Sequence, residues 1–535
     1  MLANVLYNME VSNLGQDDIR SSFAFAMCMI SRISPKFDRV RWMIVALTLL
    51  CFLLSAIAIN RPSFWVDEKI SFDIASQPTA AQTLNAVIEQ ERRPPAYHLG
   101  LWALMQIAGQ TERVARLYSV FWAVLMIPAT FQLALAFTGR KAAVFAALLA
   151  ATSPILLAFA QTVRYYDMVA ALSALSFAAF FMLLRSKRKP WLAYFVFTLL
   201  LLLTDYPAYG VPAAQLAIGL VVWRRASFAP QHPRFKWLAA QVLLALPVLA
   251  WMPVILNQGT RDFGAADLSG TLAGTTLKVA YPFYAWLVGE TIFPWLPVAV
   301  LCLVVFGILL VVGWLSLRSG FAGIVWLITF GIPFALAQLL LGTVAADSPF
   351  VNAPARSMAC FGLLFVPMGI GLARLSRRIA LVAVAIVFLA HIIALVNYYR
   401  GENFINTVYN TPAREVAQFI NVRALPADAV VTEADSVVAY YLTTSHNFDL
   451  SAQDELKKYL AANPSAQVWQ VELGRDRTRN AAAVDLREAL HAQRSIQQVT
   501  GFATQNETYR AIKTRLFGRE AYLNRLTVTQ FSSAQ

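Results

Sequence analysis

Eleven long apolar runs follow one another through this chain, and they constrain its fold more than any other feature. Each run is close to the roughly 17 to 25 residues that cross the hydrocarbon core of a bilayer as an α-helix. Backbone polar groups must be paired inside a bilayer, and the runs lack the two-residue alternation of a membrane barrel. The sequence therefore predicts an all-α polytopic membrane bundle of about eleven transmembrane helices. The runs lie near residues 42–59, 114–137, 142–160, 168–184, 191–205, 208–223, 237–255, 296–315, 321–342, 358–373 and 380–397.

Composition and charge support a membrane protein. Hydrophobic residues make up 58% of the 535 positions and charged residues 14%, whereas soluble domains average roughly 45–50% and 25%. The formal net charge is +14, but the basic residues form short clusters between the apolar runs, without a basic stripe that alternates with aromatic residues. This pattern is typical of cytoplasmic loops and argues against a nucleic-acid partner. The clusters are residues 32–41, 140–141, 185–189, 224–236 and 374–378, together with Arg318.

A cytoplasmic N-terminus places every one of these clusters on the cytoplasmic side. The sequence therefore predicts an extracytoplasmic C-terminus and a multi-pass protein of a plasma membrane. A further apolar run, 96–108, covers only about two-thirds of a span. Counting it as a crossing would move two basic clusters outside, so we expect it to form a helix in the outer interface.

The chain divides into three predicted regions. The region after Tyr399 has no spanning run and alternates helical with strand patterns, which is typical of a small α/β domain. The helical patterns lie at 412–425 and 451–464, and the strand patterns at 428–434 and 466–473. The regions are a cytoplasmic tail (1–41), a transmembrane domain (42–399) whose first outer loop is 60–113, and an extracytoplasmic α/β domain (400–535).

Polar residues collect at the outer ends of the predicted helices. Asp67 and Glu68 follow the first span, and Arg93 lies later in the same loop. Carboxylates can deprotonate a hydroxyl group or hold a divalent cation, and arginines can bind phosphate oxygens. A structural interpretation stays open, in which the two carboxylates cap an interfacial helix that begins near Ser71. The other polar residues at the outer ends are Gln161, Arg164, Tyr166, Asp167, Asp205, Tyr209, Glu290 and Arg356.

An outer cavity with acids, arginines and aromatic residues suits a lipid-linked phosphosugar. Cations would bind the phosphate, aromatic rings would pack against the sugar and prenyl chain, and a carboxylate would activate the acceptor. A soluble nucleotide sugar is disfavoured because no glycine-rich phosphate loop lies on the cytoplasmic side.

Six short motifs follow one another along the chain in the order in which they occur in the GT-C class of membrane glycosyltransferases. The sequence resembles this class, especially bacterial proteins similar to protein mannosyltransferases and to the lipid A aminoarabinose transferase. The ordered resemblance covers about residues 60–215 and continues more weakly to Arg356. Arg93 stands where the family often has histidine, and Thr162 where it often has glutamate, so a histidine-dependent metal site is not implied. The motifs are Asp67-Glu68, 93–98 (RPPAYH), 112–119 (ERVARLYS), Ser153-Pro154, 161–166 (QTVRYY) and 205–210 (DYPAYG).

The resemblance implies that, in a bacterial inner (plasma) membrane, a sugar passes from a polyprenyl-phosphate donor to an extracytoplasmic glycan, lipid or protein. Asp67 would be the catalytic base, and Glu68 would orient it or share a divalent cation, Mg²⁺ or Mn²⁺, with it. Asp167 is an alternative second-loop acid. The donor phosphate would be bound by Arg164, Tyr166, Arg356 and Arg93. Further substrate contacts would come from Tyr97, His98, Gln161, Asp167, Asp205 and Tyr209.

Two other classes of protein stay open. A transporter or flippase for a lipid-linked glycan would also need a basic, aromatic cavity, but its polar residues usually lie near the bilayer midplane. Here His391 is the main polar residue near a helix centre, and we interpret it as a packing residue. A receptor or assembly subunit acting through residues 400–535 would leave the Asp67-Glu68 pair unexplained.

Overall fold

A computed structural model describes most of the chain. The predicted tail as far as residue 38, and most of the basic clusters at 185–189 and 224–236, lie outside the described residues. The described residues are 39–91, 93–185, 190–224, 234–262, 272–318, 320–340, 353–406, 409–433, 437–443, 446–474, 481–502 and 525–532.

The bundle consists of helices, and each of the eleven predicted runs coincides with one helix or with a bent pair. The helices are α1 Arg39–Ala56, α2 Val66–Ala75, α3 Ala80–Gln90, α4 Ala96–Ala108, α5 Glu112–Leu135, α6 Arg140–Ala151, α7 Pro154–Ala160, α8 Tyr166–Arg185, α9 Trp191–Leu202, α10 Gly210–Arg224, α11 Arg234–Asp262, α12 Leu272–Val288, α13 Pro297–Leu317, α14 Phe321–Leu340, α15 Ala353–Arg356, α16 Phe361–Arg374 and α17 Arg377–Arg400.

Seven of the described helices are long and apolar enough to cross a membrane: α1, α5, α8, α11, α13, α14 and α17. The pair α6 and α7, which is bent by 56° where Pro154 begins the second helix, makes an eighth candidate if the pair is counted as one span. The three remaining predicted runs coincide with the shorter apolar helices α9, α10 and α16. The protein is therefore a multi-pass membrane protein.

Two of the shorter apolar helices, α4 and α12, can be compared with what the sequence predicted for these segments. The helix predicted for residues 96–108 is present as α4, with the expected bounds, and its place in the outer interface stays a prediction. The sequence analysis missed α12, whose apolar part is only the ten residues 279–288 and which contains Pro282. A stretch of that length is well below a full span, and the proline interrupts its apolar pattern.

Helix α8 lies at the centre of the bundle, where 89% of its apolar window is buried. Glycines allow close packing elsewhere in the core. A side chain at Gly369 of α16 would collide with the backbone of α6, and one at Gly371 would collide with Leu309 of α13. His391 of α17 lies 3.1 Å from Thr152 Oγ1 and 2.9 Å from the Leu287 carbonyl oxygen. These contacts confirm that His391 is a packing residue.

The chain after α17 forms a mixed five-stranded sheet with helices. The sheet order is β2-β1-β3-β5-β4, with β1 parallel to β2 and β3, and β5 antiparallel to β3 and β4. The four elements predicted for this region are confirmed as α18, β1, α19 and β3, whereas β2, α20, β4 and β5 were missed. The elements are α18 Ala413–Arg423, β1 Ala429–Thr432, β2 Asn447–Asp449, α19 Gln453–Ala462, β3 Val468–Gly474, α20 Ala481–His491, β4 Ile496–Phe502 and β5 Arg525–Phe531.

The C-terminal domain contacts the loop that precedes α2. Tyr441 accepts a hydrogen bond from the Phe64 backbone N–H at 2.8 Å, and the Arg414 backbone N–H donates to Ser63 Oγ at 3.0 Å. The Arg414 guanidinium also lies 2.8 Å from Glu112 at the start of α5. The loop is therefore held between the domain and the bundle.

Candidate active site at the domain end of the bundle

Glu68 is a buried carboxylate in the first turn of α2. Its Oε1 accepts a hydrogen bond from the Val163 N–H at 2.8 Å and lies 3.7 Å from Arg116 Nε. Its Oε2 accepts a hydrogen bond from the Trp65 N–H at 3.3 Å, which caps α2. The helix begins at Val66 and not near Ser71, so the predicted start is wrong, but the predicted capping by a carboxylate is confirmed for Glu68.

Burial raises the pKa of the Glu68 carboxyl above its usual value, although Arg116 and the two backbone donors oppose the shift. Arg116 itself is fully buried, and it also donates to the carbonyl oxygens of Ile59 and Pro62, both at 2.9 Å. Because both oxygens of Glu68 already accept hydrogen bonds, this carboxylate is suited to holding the loop rather than to receiving a proton.

Asp67 differs from Glu68 although the two are neighbours. Its side chain is 40% exposed, and its Oδ2 lies 3.5 Å from Arg164 Nη2. Arg164 also donates from Nη1 to the Asp67 carbonyl oxygen at 3.2 Å. The structure therefore places an accessible carboxylate beside a buried guanidinium, at the end of the bundle that contacts the C-terminal domain.

Arg164 is anchored by residues of the first loop. Its Nη1 donates to Glu91 at 3.0 Å and to Ser71 Oγ at 2.9 Å, and its side chain is 5% exposed. His98 Nε2 lies 3.4 Å from the same Glu91 oxygen. The sequence analysis missed Glu91, although it directly precedes Arg92 and Arg93, where a counter-ion was to be expected.

Arg93 belongs to a second ion pair of the same cluster. Its Nε donates to the Tyr165 hydroxyl at 3.0 Å and lies 3.3 Å from Asp205 Oδ1. Asp205 lies in the turn after α9, and its neighbour Tyr206 packs edge-on against Tyr209 with ring centroids 5.8 Å apart. The structure thus brings Arg93, Asp205 and Tyr209 to the same end of the bundle as Asp67 and Arg164.

Burial raises the pKa of the Asp205 carboxyl to about 6, against the opposing effect of Arg93. The folded protein therefore binds this proton more tightly than the unfolded chain, whose value is near 3.8. The contribution of Asp205 to stability falls as the pH rises from about 4 to 6, and it is constant at higher pH.

We expect Asp205→Asn to remove this dependence. The Tm of the variant minus that of the wild type should rise between pH 4 and pH 7 and then level off. Thermal unfolding of the detergent-solubilised proteins over this range measures the difference. A difference that stays constant with pH, or that falls, would show that Asp205 does not titrate as its surroundings indicate.

Four other predicted site residues do not take part in the ion pairs of Arg93 and Arg164 described above. Tyr97 is buried beside Ser119 Oγ at 3.2 Å, and the Tyr166 ring packs against Tyr165 at 5.0 Å. Asp167 is fully buried in α8, and neither carboxylate oxygen has a hydrogen-bond partner in the described part of the chain. Arg356 ends α15, and no hydrogen bond or ion pair links it to the Arg164 cluster among the residues described.

Gln161 holds the end of α1 in place. Its Nε2 donates to the carbonyl oxygens of Ser55 at 2.9 Å and of Ile57 at 2.5 Å. Its Oε1 is buried and has no hydrogen-bond partner among the described residues.

A metal site of protein ligands alone is not found in the part of the chain that the structure describes, where no three His, Cys, Asp or Glu residues are grouped to hold an ion. A divalent cation at Asp67 and Glu68 remains a prediction. Since the oxygens of Glu68 already accept hydrogen bonds, such an ion would depend mainly on Asp67 and on substrate oxygens.

Residues 92–251 match a family described as dolichyl-phosphate-mannose-protein mannosyltransferase. ArnT from Cupriavidus metallidurans in the apo state is 14% identical, with a TM-score of 0.52, and the match covers 91% of this chain and 97% of that one. The structure of ArnT bound to undecaprenyl phosphate matches with 13% identity, the same coverage and a TM-score of 0.52.

The chain shares the fold of ArnT, which is a GT-C glycosyltransferase. A further GT-C structure, the oligosaccharyltransferase from Archaeoglobus fulgidus in the apo form, is 11% identical, with a TM-score of 0.50 over 82% of this chain and 70% of that one. No curated protein sequence matches the chain. The segment matched by the mannosyltransferase family includes Arg93, Arg164 and Asp205 of the candidate site but begins after Asp67.

Proposed function

We propose that the protein is a membrane glycosyltransferase that moves a sugar from a polyprenyl-phosphate donor to an acceptor hydroxyl on the extracytoplasmic side of a bacterial inner membrane. The observation that carries the proposal is the half-exposed Asp67 carboxylate, which Arg164 holds beside a buried cluster of acids and arginines. The GT-C fold and the binding of undecaprenyl phosphate by ArnT support it.

Asp67 is the proposed general base. The acceptor oxygen bonds to the anomeric carbon of the sugar, its proton passes to Asp67, and the bond from that carbon to the phosphate oxygen breaks. Polyprenyl phosphate leaves with the bonding electrons, and a single displacement of this kind inverts the anomeric centre. Glu68 acts as a positioning residue, because its hydrogen bonds to Trp65 and Val163 fix the start of α2.

Arg164 is the proposed main ligand of the donor phosphate. Its Nη1 is already engaged by Glu91 and Ser71, but its buried Nε has no hydrogen-bond partner among the described residues. A buried N–H of this kind gains stability from an anionic oxygen. We propose that Arg93 and Tyr166 add to the positive, aromatic surroundings, with Arg356 as a more distant contributor.

The activity is testable with the purified protein in lipid nanodiscs and a panel of labelled polyprenyl-phosphate sugars. Wild-type protein should release polyprenyl phosphate and transfer the label to an acceptor or to water. Movement of an intact lipid-linked sugar across a vesicle membrane, with no chemical change to it, would instead support a transporter.

The orientation of the protein in the membrane, which follows from the positions of the basic clusters, can be tested separately. A reporter fused after Arg188 should report a cytoplasmic position, and one fused after Gln535 an extracytoplasmic position. An alkaline phosphatase and green fluorescent protein pair gives opposite signals on the two sides. An outside signal at Arg188, or an inside signal at Gln535, would place Asp67 on the wrong side of the membrane for the proposed reaction.

A further inference from the structure

A cavity of about 100 Å³ lies beside the catalytic loop, between the end of α1, the end of α17 and the linker to the C-terminal domain. A smaller cavity of about 20 Å³ adjoins it, and Glu68 and Glu290 contribute to its wall. The two share Pro62, Gln161, Tyr398, Phe404 and Tyr409. The mechanism proposed above does not use this space.

Tyr409 connects the cavities to the reacting groups. Its ring packs edge-on against Trp65 with centroids 5.2 Å apart, and Trp65 lies two residues before Asp67. The same ring lies 5.9 Å from that of Phe159. A group bound in the cavity would therefore lie next to the start of α2, where Asp67 is exposed.

The wall of the cavity contains an unused hydrogen-bond acceptor. Gln161 is 2% exposed and lines both cavities, and its Oε1 has no partner among the described residues. A buried acceptor of this kind is costly unless a bound group donates to it. A hydroxyl group of a ligand supplies that donor.

The remaining wall presents aromatic rings and charged groups of both signs. Tyr398, Phe404 and Tyr409 offer faces to the C–H groups of a sugar ring. The exposed Arg400 and Arg61 offer donors to its oxygens, although Arg61 Nη2 already donates to the Arg400 carbonyl oxygen at 2.7 Å, and Glu415 offers an acceptor to its hydroxyl groups. Hydroxyl groups that both donate and accept, on a compact ring with apolar faces, match this lining better than an extended peptide does. The space holds several water molecules, and thus a group of about sugar size.

We propose that this cavity binds the saccharide of the acceptor, so that the substrate class is a glycan or glycolipid and Gln161 is a specificity-determining residue. The proposal rests on the proposed transferase function. It places the reacting hydroxyl of the acceptor sugar towards Tyr409 and Asp67, with the rest of the sugar between Gln161 and the two arginines.

The test uses the full-length protein in nanodiscs with one polyprenyl-phosphate sugar and methyl glycosides of glucose, galactose, mannose and N-acetylglucosamine as acceptors. At least one glycoside should increase the consumption of donor above the rate with water alone. Gln161→Leu should raise the KM for that glycoside by about tenfold, while the donor KM changes less than twofold. A rise in the donor KM instead, or transfer to a Ser/Thr peptide and to none of the glycosides, would overturn the proposal.

Gln161 also supports the end of α1, so a second variant guards against misfolding. Arg61→Gln changes an exposed side chain on the cavity wall and should raise the glycoside KM several-fold. Arg378→Gln is the matched control, since Arg378 is an exposed arginine in the first turn of α17, at the opposite end of that helix from the cavity. Equal effects of Arg61→Gln and Arg378→Gln would contradict the proposal.

Equilibrium dialysis of labelled methyl glycosides separates this proposal from the transferase function. If the wild type consumes no donor with any acceptor or with water, the transferase proposal fails. Binding of a glycoside that Gln161→Leu weakens would then still support a saccharide site, and the lack of binding by every glycoside would overturn it.

Discussion

Asp67→Asn is expected to lower the rate of sugar transfer by about 10²–10⁴, while the affinity for the donor stays nearly unchanged. A neutral hydroxyl is a poor nucleophile, whereas the phosphate leaving group needs no strong acid, so the base on the acceptor side dominates the chemistry. Asparagine has nearly the same shape and removes only the basicity. Single-turnover transfer, measured beside donor binding and thermal stability, tests this expectation.

Glu68→Gln is the matched control for Asp67→Asn, because it makes the same kind of change at the neighbouring carboxylate. Because Glu68 is buried and pairs with Arg116, its substitution should lower thermal stability more than Asp67→Asn does, and it should reduce transfer less. A larger loss of transfer in a folded Glu68→Gln protein would instead favour a cation shared by the two carboxylates. Near-normal transfer by Asp67→Asn would rule out Asp67 as the base.

Arg164→Ala should weaken donor binding by a factor of tens or more, because truncating one partner of a buried charge pair costs on the order of 2 to 5 kcal/mol. Arg164→Lys should restore part of the affinity, since lysine keeps the charge but lacks the planar fork of donors. Binding of undecaprenyl phosphate to the nanodisc-held variants gives the affinities, and thermal unfolding monitors the fold.

The variant Glu91→Gln separates a phosphate ligand from a purely structural arginine. It removes the counter-ion that lies 3.0 Å from Arg164 and leaves the arginine in place. If Arg164 binds phosphate, Glu91→Gln should maintain or increase the donor affinity, whereas Arg164→Ala should lower it. Equal losses of donor affinity in both variants would show that Arg164 only stabilises the loop and does not bind the phosphate.

The helices of the bundle could be predicted because each apolar run specifies its own secondary structure in a bilayer. The exceptions are α12, whose Pro282 interrupts a short apolar stretch, and the short helices α3 and α15, which were not predicted. In the C-terminal domain, α18 and β1 carry clear local patterns. Strand β4 is mostly exposed, and its pairing with β5 joins residues far apart in the chain, so its local pattern was weak.

In the candidate site, too, some features could be predicted from the sequence and others could not. Asp67, Arg93 and Arg164 could be singled out because charged residues beside apolar runs are conspicuous. The different surroundings of Asp67 and Glu68 could not be predicted, since they depend on Val163 and Arg116, which only the folded chain brings near. Glu91 as the counter-ion of Arg164 depends on the same long-range packing.

The contacts between the C-terminal domain and the loop before α2 impose an order on biogenesis. Ser63 and Arg414 are 351 positions apart, and Phe64 and Tyr441 are 377 apart. A ribosome that adds about 5 to 20 residues per second needs roughly 18 to 75 s between the first and second members of these pairs. The spans are thus inserted well before the loop that precedes α2 and Asp67 is anchored, and a chain released early would occupy the membrane with the candidate site incomplete.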